Sequence, residues 1–335
     1  MSEPENSAEV LEQESEPSPL RGVLIALAKF SAAGIILYIL YRRGDLHWSE
    51  LGAALSRWEI TVSVFLLTAA SYYGQAVRWR WLLAYRNIPL HSWDGFRYLM
   101  IGKFFNLVIP GYFSEDVLRG LYVIRRGVLR RTVVVSLLVD RVAGVFALFL
   151  YGAVGLLARP AVLADPRLRA LLVVSLGGAF GIITVLVFLR LAPEAPGFLL
   201  RLARILHLHG AVDKLYSEAS LFARNLGLLA SVVALTLFNQ SLMMLCFWLI
   251  GHTLRMEAGW LDYFVYVPAG LLTTMLPVAP VGLGVGQVAF LALFKLTGSN
   301  QGANLFSVYT AVVIALSLMG GLFYVLSHGR PPTRE

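Results

Sequence analysis

Glu115, Asp116 and Arg119 follow a Pro110-Gly111 step in the run KFFNLVIPGYFSEDVLR, residues 103–119. Glu115 and Arg119 stand four apart, and Asp116 and Arg119 three apart, so both acids can reach the arginine on one helical face. Such a set can neutralise a charged headgroup or carry a proton on a carboxylate. It can also pair internally, with Ser114 as the cap of a buried helix start. Both readings stand on the sequence alone. The flanks are apolar enough for a bilayer, yet the run is broken in its middle. Irregular backbone and ionisable side chains at membrane depth are tolerated mainly where they are buried in protein or line a wet cavity.

A second charged pair, Asp140-Arg141, lies about ten residues beyond Arg131 in an apolar run, about 15 Å deep as helix. Charges there cost on the order of 3 kcal/mol each on insertion scales, so they should face protein or water and be paired. Arg141 has Asp116 or Glu115 as prospective partners, and Asp140 has Arg119. Lys103 is expected to be shallower and to snorkel. A third group, Gly282-Leu283-Gly284-Val285-Gly286-Gln287, reads as a tight apolar turn before a helix start. Backbone N–H groups at such a start can hold an anion, and glycines can equally serve close helix packing. No strand precedes it, so a dinucleotide fold is excluded. Asn239 and Gln240 fall mid-span, where they can bond between helices or line a cavity. Arg78-Trp79-Arg80-Trp81 reads as an interfacial anchor.

No Ser-His-Asp set, HExxH or Walker motif occurs, so neither enzymatic nor ATP-driven activity is expected. The six histidines are scattered and the single Cys246 lies in an apolar run. No metal site, cofactor or internal disulfide is therefore expected.

These residues need elements to hold them. The 335-residue chain is 58% hydrophobic and 14% charged, with mean hydropathy +0.70. Soluble domains average about 45–50% apolar and about 25% charged. An all-α polytopic membrane protein follows. The net charge of +8 does not indicate nucleic-acid binding, because the arginines sit mainly in loops between apolar runs, where they orient a protein towards anionic headgroups. Six runs read as full transmembrane helices: 22–41, 59–78, 132–157, 170–190, 226–250 and 303–327. Residues 45–57 and 198–224 are amphipathic. The longer one suits a helix lying on the membrane or one packed on the end of the bundle.

Two apolar regions remain, 95–127 and 262–297, broken at Pro110-Gly111 and between Pro277, Pro280 and Gly286. Each limb has about 15 residues, or about 22 Å, short of the roughly 30 Å hydrocarbon core. They read as two re-entrant helical hairpins, with pairs of tilted spans as the competing reading. The order span, span, hairpin, span then occurs twice. Each unit crosses an odd number of times, so the second must be inverted, a recurring transporter plan. The expected organisation is a disordered acidic cytoplasmic tail (1–20), a first membrane repeat (21–158), an inverted second repeat (159–328) and a short cytoplasmic tail (329–335). The tail 1–20 holds six glutamates and no Lys or Arg, which does not suit a signal peptide. Loops on the N-terminal side carry seventeen basic residues against seven on the other, which places both termini in the cytoplasm.

The runs FFNLVIPGYFSEDVLRGLYVIRRG, VVVSLLVDRVAGVFAL and LPVAPVGLGVGQ together resemble the flippase-like family typified by the membrane region of lysylphosphatidylglycerol synthases. The resemblance covers most of residues 20–327, and rests on Pro110, Gly111, Asp116, Arg119, the Asp140-Arg141 pair and the Pro…Gly-Leu-Gly-Val block. It implies lipid translocation across a bacterial inner membrane. It does not extend to the lysine-transfer activity of the synthases' soluble domain. Many relatives carry Glu where this chain has Gln287, which puts substrate or coupling in doubt. The expected substrate-binding set is Glu115, Asp116, Arg119, Asp140, Arg141, Gly282, Gly284 and Gln287. Membrane lipids are the expected partners. The alternative is a non-transporting membrane subunit that binds a lipid or supports a glycosyltransferase using polyprenyl lipids.

Overall fold

The computed structural model describes residues 19–108, 114–158, 164–192, 194–197, 200–201, 209–275 and 282–327. Pro110, Gly111, Pro277 and Pro280, expected at the hairpin breaks, lie outside these residues, as do nearly all of the two tails. The described residues form twelve α-helices and no strand. They are α1 (Pro19–Arg42), α2 (Trp48–Ser56), α3 (Trp58–Tyr85), α4 (Ser92–Val108), α5 (Ser114–Ile124), α6 (Arg130–Leu157), α7 (Pro166–Leu191), α8 (His209–Arg224), α9 (Leu226–Thr253), α10 (Trp260–Thr274), α11 (Val285–Phe294) and α12 (Gly302–Ser327).

Local chemistry accounts for the boundaries. Asp165 caps α7 by accepting from the Arg167 N–H at 2.8 Å, with Pro166 at the first helical position. Asn225 caps α9 through the Leu228 N–H at 3.0 Å. At α10, Asp262 reaches back to accept from the Gly259 N–H at 2.6 Å. Gly127, at φ +85°, follows the end of α5, a backbone state that glycine adopts without a Cβ penalty.

Among the described residues, five helices are long and apolar enough to cross a membrane: α3, α6, α7, α9 and α12. They match five of the six expected spans. The sixth falls on α1, whose apolar stretch covers Phe30–Arg42. The largest boundary difference is in α3, expected to end at residue 78 but continuing to Tyr85. The four helices of the two broken regions are shorter. α4 and α5 pack on each other, as do α10 and α11.

α3 runs along α9 at the centre of the bundle, and both touch α6 and α12. α4 lies against α3 and α12, and α10 lies against α6. The main apolar core fills the space between α9, α10, α11 and α12 around Phe247, Tyr263, Tyr266, Phe290, Phe294 and Phe306. α2 is pinned to the start of α12 by Asn304, which accepts from the His47 N–H at 3.1 Å and donates to Glu50 at 2.8 Å. α7 is almost wholly exposed apart from its contacts with α6 and α8. Of the two readings for the amphipathic stretch 198–224, its described part α8 packs on α6 and α7, burying Glu218, Phe222 and Ala223.

Candidate functional site

Asp140 lies ten residues into α6, about 15 Å along it, and is 2% exposed. Its two oxygens are divided between two arginines. Oδ1 accepts from Arg78 Nε at 2.6 Å, and Oδ2 accepts from Arg119 Nη2 at 2.9 Å. Arg119 also grips Asp116 Oδ1 through Nε at 3.0 Å and Nη2 at 2.7 Å. The other oxygen of Asp116 receives Arg141 Nη2 at 2.5 Å. A chain of alternating charge, Arg78–Asp140–Arg119–Asp116–Arg141, thus ties α3, α5 and α6 together inside the bundle. The expected Asp140–Arg119, Arg119–Asp116 and Arg141–Asp116 pairings are all present.

Two sequence expectations need correction. Arg78 and Trp79 are not an exposed interfacial anchor. Arg78 is 4% exposed and Trp79 fully buried. α3 continues for two turns past the point where its hydropathy drops, which keeps Arg78 inside the bundle. There Nη1 donates to Thr236 of α9 at 2.8 Å while Nε serves Asp140. Trp79 donates its indole N–H to Ser136 at 3.1 Å and presents its ring to Arg119, 5.1 Å from the guanidinium carbon. Trp79, Leu82 and Leu83 are buried beyond Arg78 while Arg80 between them faces out, so no local run in the sequence marks Arg78 as buried.

The second correction concerns Lys103 and Glu115. Glu115 does not join Arg119. It pairs with Lys103 of α4 at 3.1 Å, with both side chains 15% exposed. The Lys103 ammonium also sits 4.0 Å from the Tyr72 ring centroid, so Lys103 is held inside rather than snorkelling out. Residues 115 and 116 point about 100° apart around a helix. With Arg119 turned towards Asp116 and Asp140, Glu115 is left facing α4.

The glycine-rich turn is a separate place. Gly282 and Gly284 have φ of +72° and +80°, conformations natural to glycine. Gln287 is 1% exposed. Its Oε1 accepts from the Gly284 N–H at 2.7 Å, and its Nε2 donates to Ser307 at 3.2 Å. One of the backbone donors expected to meet an anion is therefore already occupied. Neither partner of Gln287 belongs to the charged chain. Mid-span, Asn239 seats its side chain over Gly74 of α3, and its carbonyl accepts from Ser71 at 3.4 Å. Asn239 Nδ2 and Gln240 Oε1 have no partner among the described residues.

α8 closes over the same end of α3 and α6. Its buried Glu218 takes Arg86 Nε at 2.8 Å and lies 4.0 Å from Arg131, and Tyr85 donates to the Leu221 carbonyl at 3.1 Å. Among the described residues, no group of three or more His, Cys, Asp or Glu side chains is arranged to hold a metal ion.

The charged chain lies in a part of the sequence with known relatives. The sequence profile of the lysylphosphatidylglycerol synthase transmembrane region matches residues 21–319. The chain belongs to that family. The match takes in α2 to α11 complete, and with them every residue of the charged chain and the glycine-rich turn. It places the protein among membrane proteins related to lipid handling. No curated protein matches the chain.

Proposed function

We propose that the protein translocates lipids between the leaflets of a bacterial inner membrane, as a transporter rather than an enzyme. The observation that carries this reading is the chain of five alternating charges buried between α3, α5 and α6. Each charge at that depth is costly unless paired or functional, and a bundle that needed only to stand in a membrane could pack apolar side chains in their place at no loss of stability. A polar lining at that position suits a headgroup that crosses while its acyl chains stay in lipid.

The packing supports an inverted repeat with α4–α5 and α10–α11 as re-entrant hairpins. α4 of the first unit packs on α12 of the second, and α10 of the second packs on α6 of the first. The units meet at α3 and α9, their corresponding helices. Such reciprocal contacts are what a pseudo-two-fold axis in the membrane plane would generate. The basic bias of the loops supports a cytoplasmic position for residues 125–131 and both termini. The single cysteine, Cys246, is buried, so a Leu129→Cys variant should report topology cleanly. It should react with a membrane-impermeant maleimide in inside-out vesicles and not in intact cells; the reverse pattern would overturn the orientation.

Translocation is tested with fluorescent phospholipids in proteoliposomes, by dithionite quenching of the outer leaflet. Lipid exchange above the empty-liposome rate is expected, falling about tenfold or more in Asp116→Asn, on the scale of one lost charge-assisted contact. Rates equal to empty liposomes across phospholipid and polyprenyl-phosphate probes would remove the transport reading and leave that of a lipid-binding subunit.

A further inference from the structure

The charged chain is unbalanced in one direction. Arg78, Arg119 and Arg141 face two carboxylates, Asp116 and Asp140, which leaves one positive charge in excess, and the neighbouring Lys103–Glu115 pair is balanced in itself. Both oxygens of Asp140 and both of Asp116 already accept from arginines. Neither acid therefore offers an oxygen that is not already engaged. The arginine side differs. Arg119 is 3% exposed, yet its Nη1 finds no hydrogen-bond acceptor among the described residues. Leaving a buried charged donor unmet is expensive, more so than for a neutral group. The open valence of this cluster is a cationic donor, so its complement is an anion.

The cluster also has a way in. The Arg141 side chain is 23% exposed. One turn further along the same face of α6 is Gly144, where an added Cβ would meet nothing within 4 Å. The surface of α6 is thus open beside Arg141, while Arg119, Arg78 and Asp140 are sealed behind it, so an anion would meet Arg141 first and reach the Arg119 Nη1 only as that side chain moves aside. Two guanidinium groups held by a shared carboxylate, one with an unspent N–H and one reaching an opening, match the oxygens of a phosphate.

We infer that Arg119 and Arg141, braced by Asp116, form an anion subsite for a phosphate group. This moves the expected phosphate position away from the glycine-rich turn, where Gln287 already occupies the Gly284 N–H. The inference deepens the lipid-translocation reading and rests on it only for the source of the phosphate. A lipid phosphate ester and free inorganic phosphate offer the same oxygens.

Native mass spectrometry of the full chain, titrated with single lipids in detergent, tests it. The probes are dioleoyl phosphatidic acid and dioleoylglycerol, which differ only by the phosphate. The phosphate-bearing lipid is expected to bind wild type about tenfold more tightly. Arg119→Lys keeps the charge but loses the fork, and Arg141→Gln loses the charge at the opening; each should erase most of that preference. Arg126→Gln, in the exposed turn after α5, should keep it. Should Arg119→Lys fail to fold, the more peripheral Arg141→Gln decides alone. Equal binding of the two lipids by wild type, or an unchanged preference in a folded Arg141→Gln, overturns the inference. Displacement of the lipid by millimolar inorganic phosphate assigns the subsite to a soluble anion, and lack of displacement assigns it to lipid. A protein that binds the phosphate without moving lipid keeps this inference and loses the transport reading. One that moves phosphate-free lipid equally well does the opposite.

Discussion

Replacing Asp140 by leucine should destabilise the protein by about 3–5 kcal/mol, the usual cost of removing one partner from a buried ion pair. The reason is specific to this acid. Asp140 serves two arginines on two other helices, Arg78 on α3 and Arg119 on α5. Arg119 keeps Asp116, but Arg78 is left with the Thr236 hydroxyl alone. A buried guanidinium without a carboxylate is the main penalty, so removing it should relieve most of the loss. The double variant Arg78→Met/Asp140→Leu should therefore melt several degrees above Asp140→Leu in detergent. Buried pairs replaced by apolar side chains of similar volume are often neutral or better. Lipid translocation should stay low in the double variant even as stability returns. Full translocation in that variant would mean that the Arg78–Asp140 pair is only structural. A single Asp140→Leu variant as stable as wild type would remove the pair from the account of stability.

The second large effect is expected at Gly320. A Cβ there would fall inside the Met100 carbonyl of α4, and the next residue, Gly321, faces the Phe104 ring. The obstacle at Gly320 is backbone, which is itself held in a helix and cannot turn aside. Small residues at such crossings let helix backbones approach closely. Gly320→Val should cost about 3 kcal/mol, at the upper end for overpacking, and should push α4 off α12. α4 carries Lys103 one turn beyond Met100, so the Lys103–Glu115 pair should loosen with it. Gly177→Ala on α7 is the matched control, because nothing lies within 4 Å of its Cβ position. It should be neutral or slightly stabilising through helix propensity. Thermal melting of the two purified variants separates the outcomes, and equal melting temperatures would refute the close α4–α12 contact.

Much of the candidate site is legible in the sequence. Asp116 and Arg119 are three apart on a helix start, a spacing that decides their pairing locally. Asp140 and Arg141, deep in an apolar run, have to be paired with something, and few ionisable residues are on offer at that depth. Gln287 stands out from the glycine-rich turn, although its part as a backbone acceptor and a Ser307 donor depends on α12. Arg78 is not legible in this way, because hydropathy alone marks it as the edge of a span. The helix in fact continues, and the carboxylate that makes its burial tolerable lies 62 residues away in sequence. Spacing also permits a Glu115–Arg119 pair; the pairing with Lys103 arises only because α4 lies beside α5.

What this sequence determines by itself is the local and the collective. It sets the helical class, the apolar runs and the two broken regions, the basic bias of the loops and the family. These follow from composition, hydropathy and short-range spacing, which act whatever the chain packs against. What only the tertiary structure decides is which charge meets which. A buried cation takes the acid that the packing of helices brings within hydrogen-bonding reach, and that packing depends on distant positions such as Gly74 against Asn239 and Gly320 against Met100. The surplus donor on Arg119 belongs to this second kind. The number of charges is readable along the chain, but the one N–H left unmatched emerges only when the helices close around it.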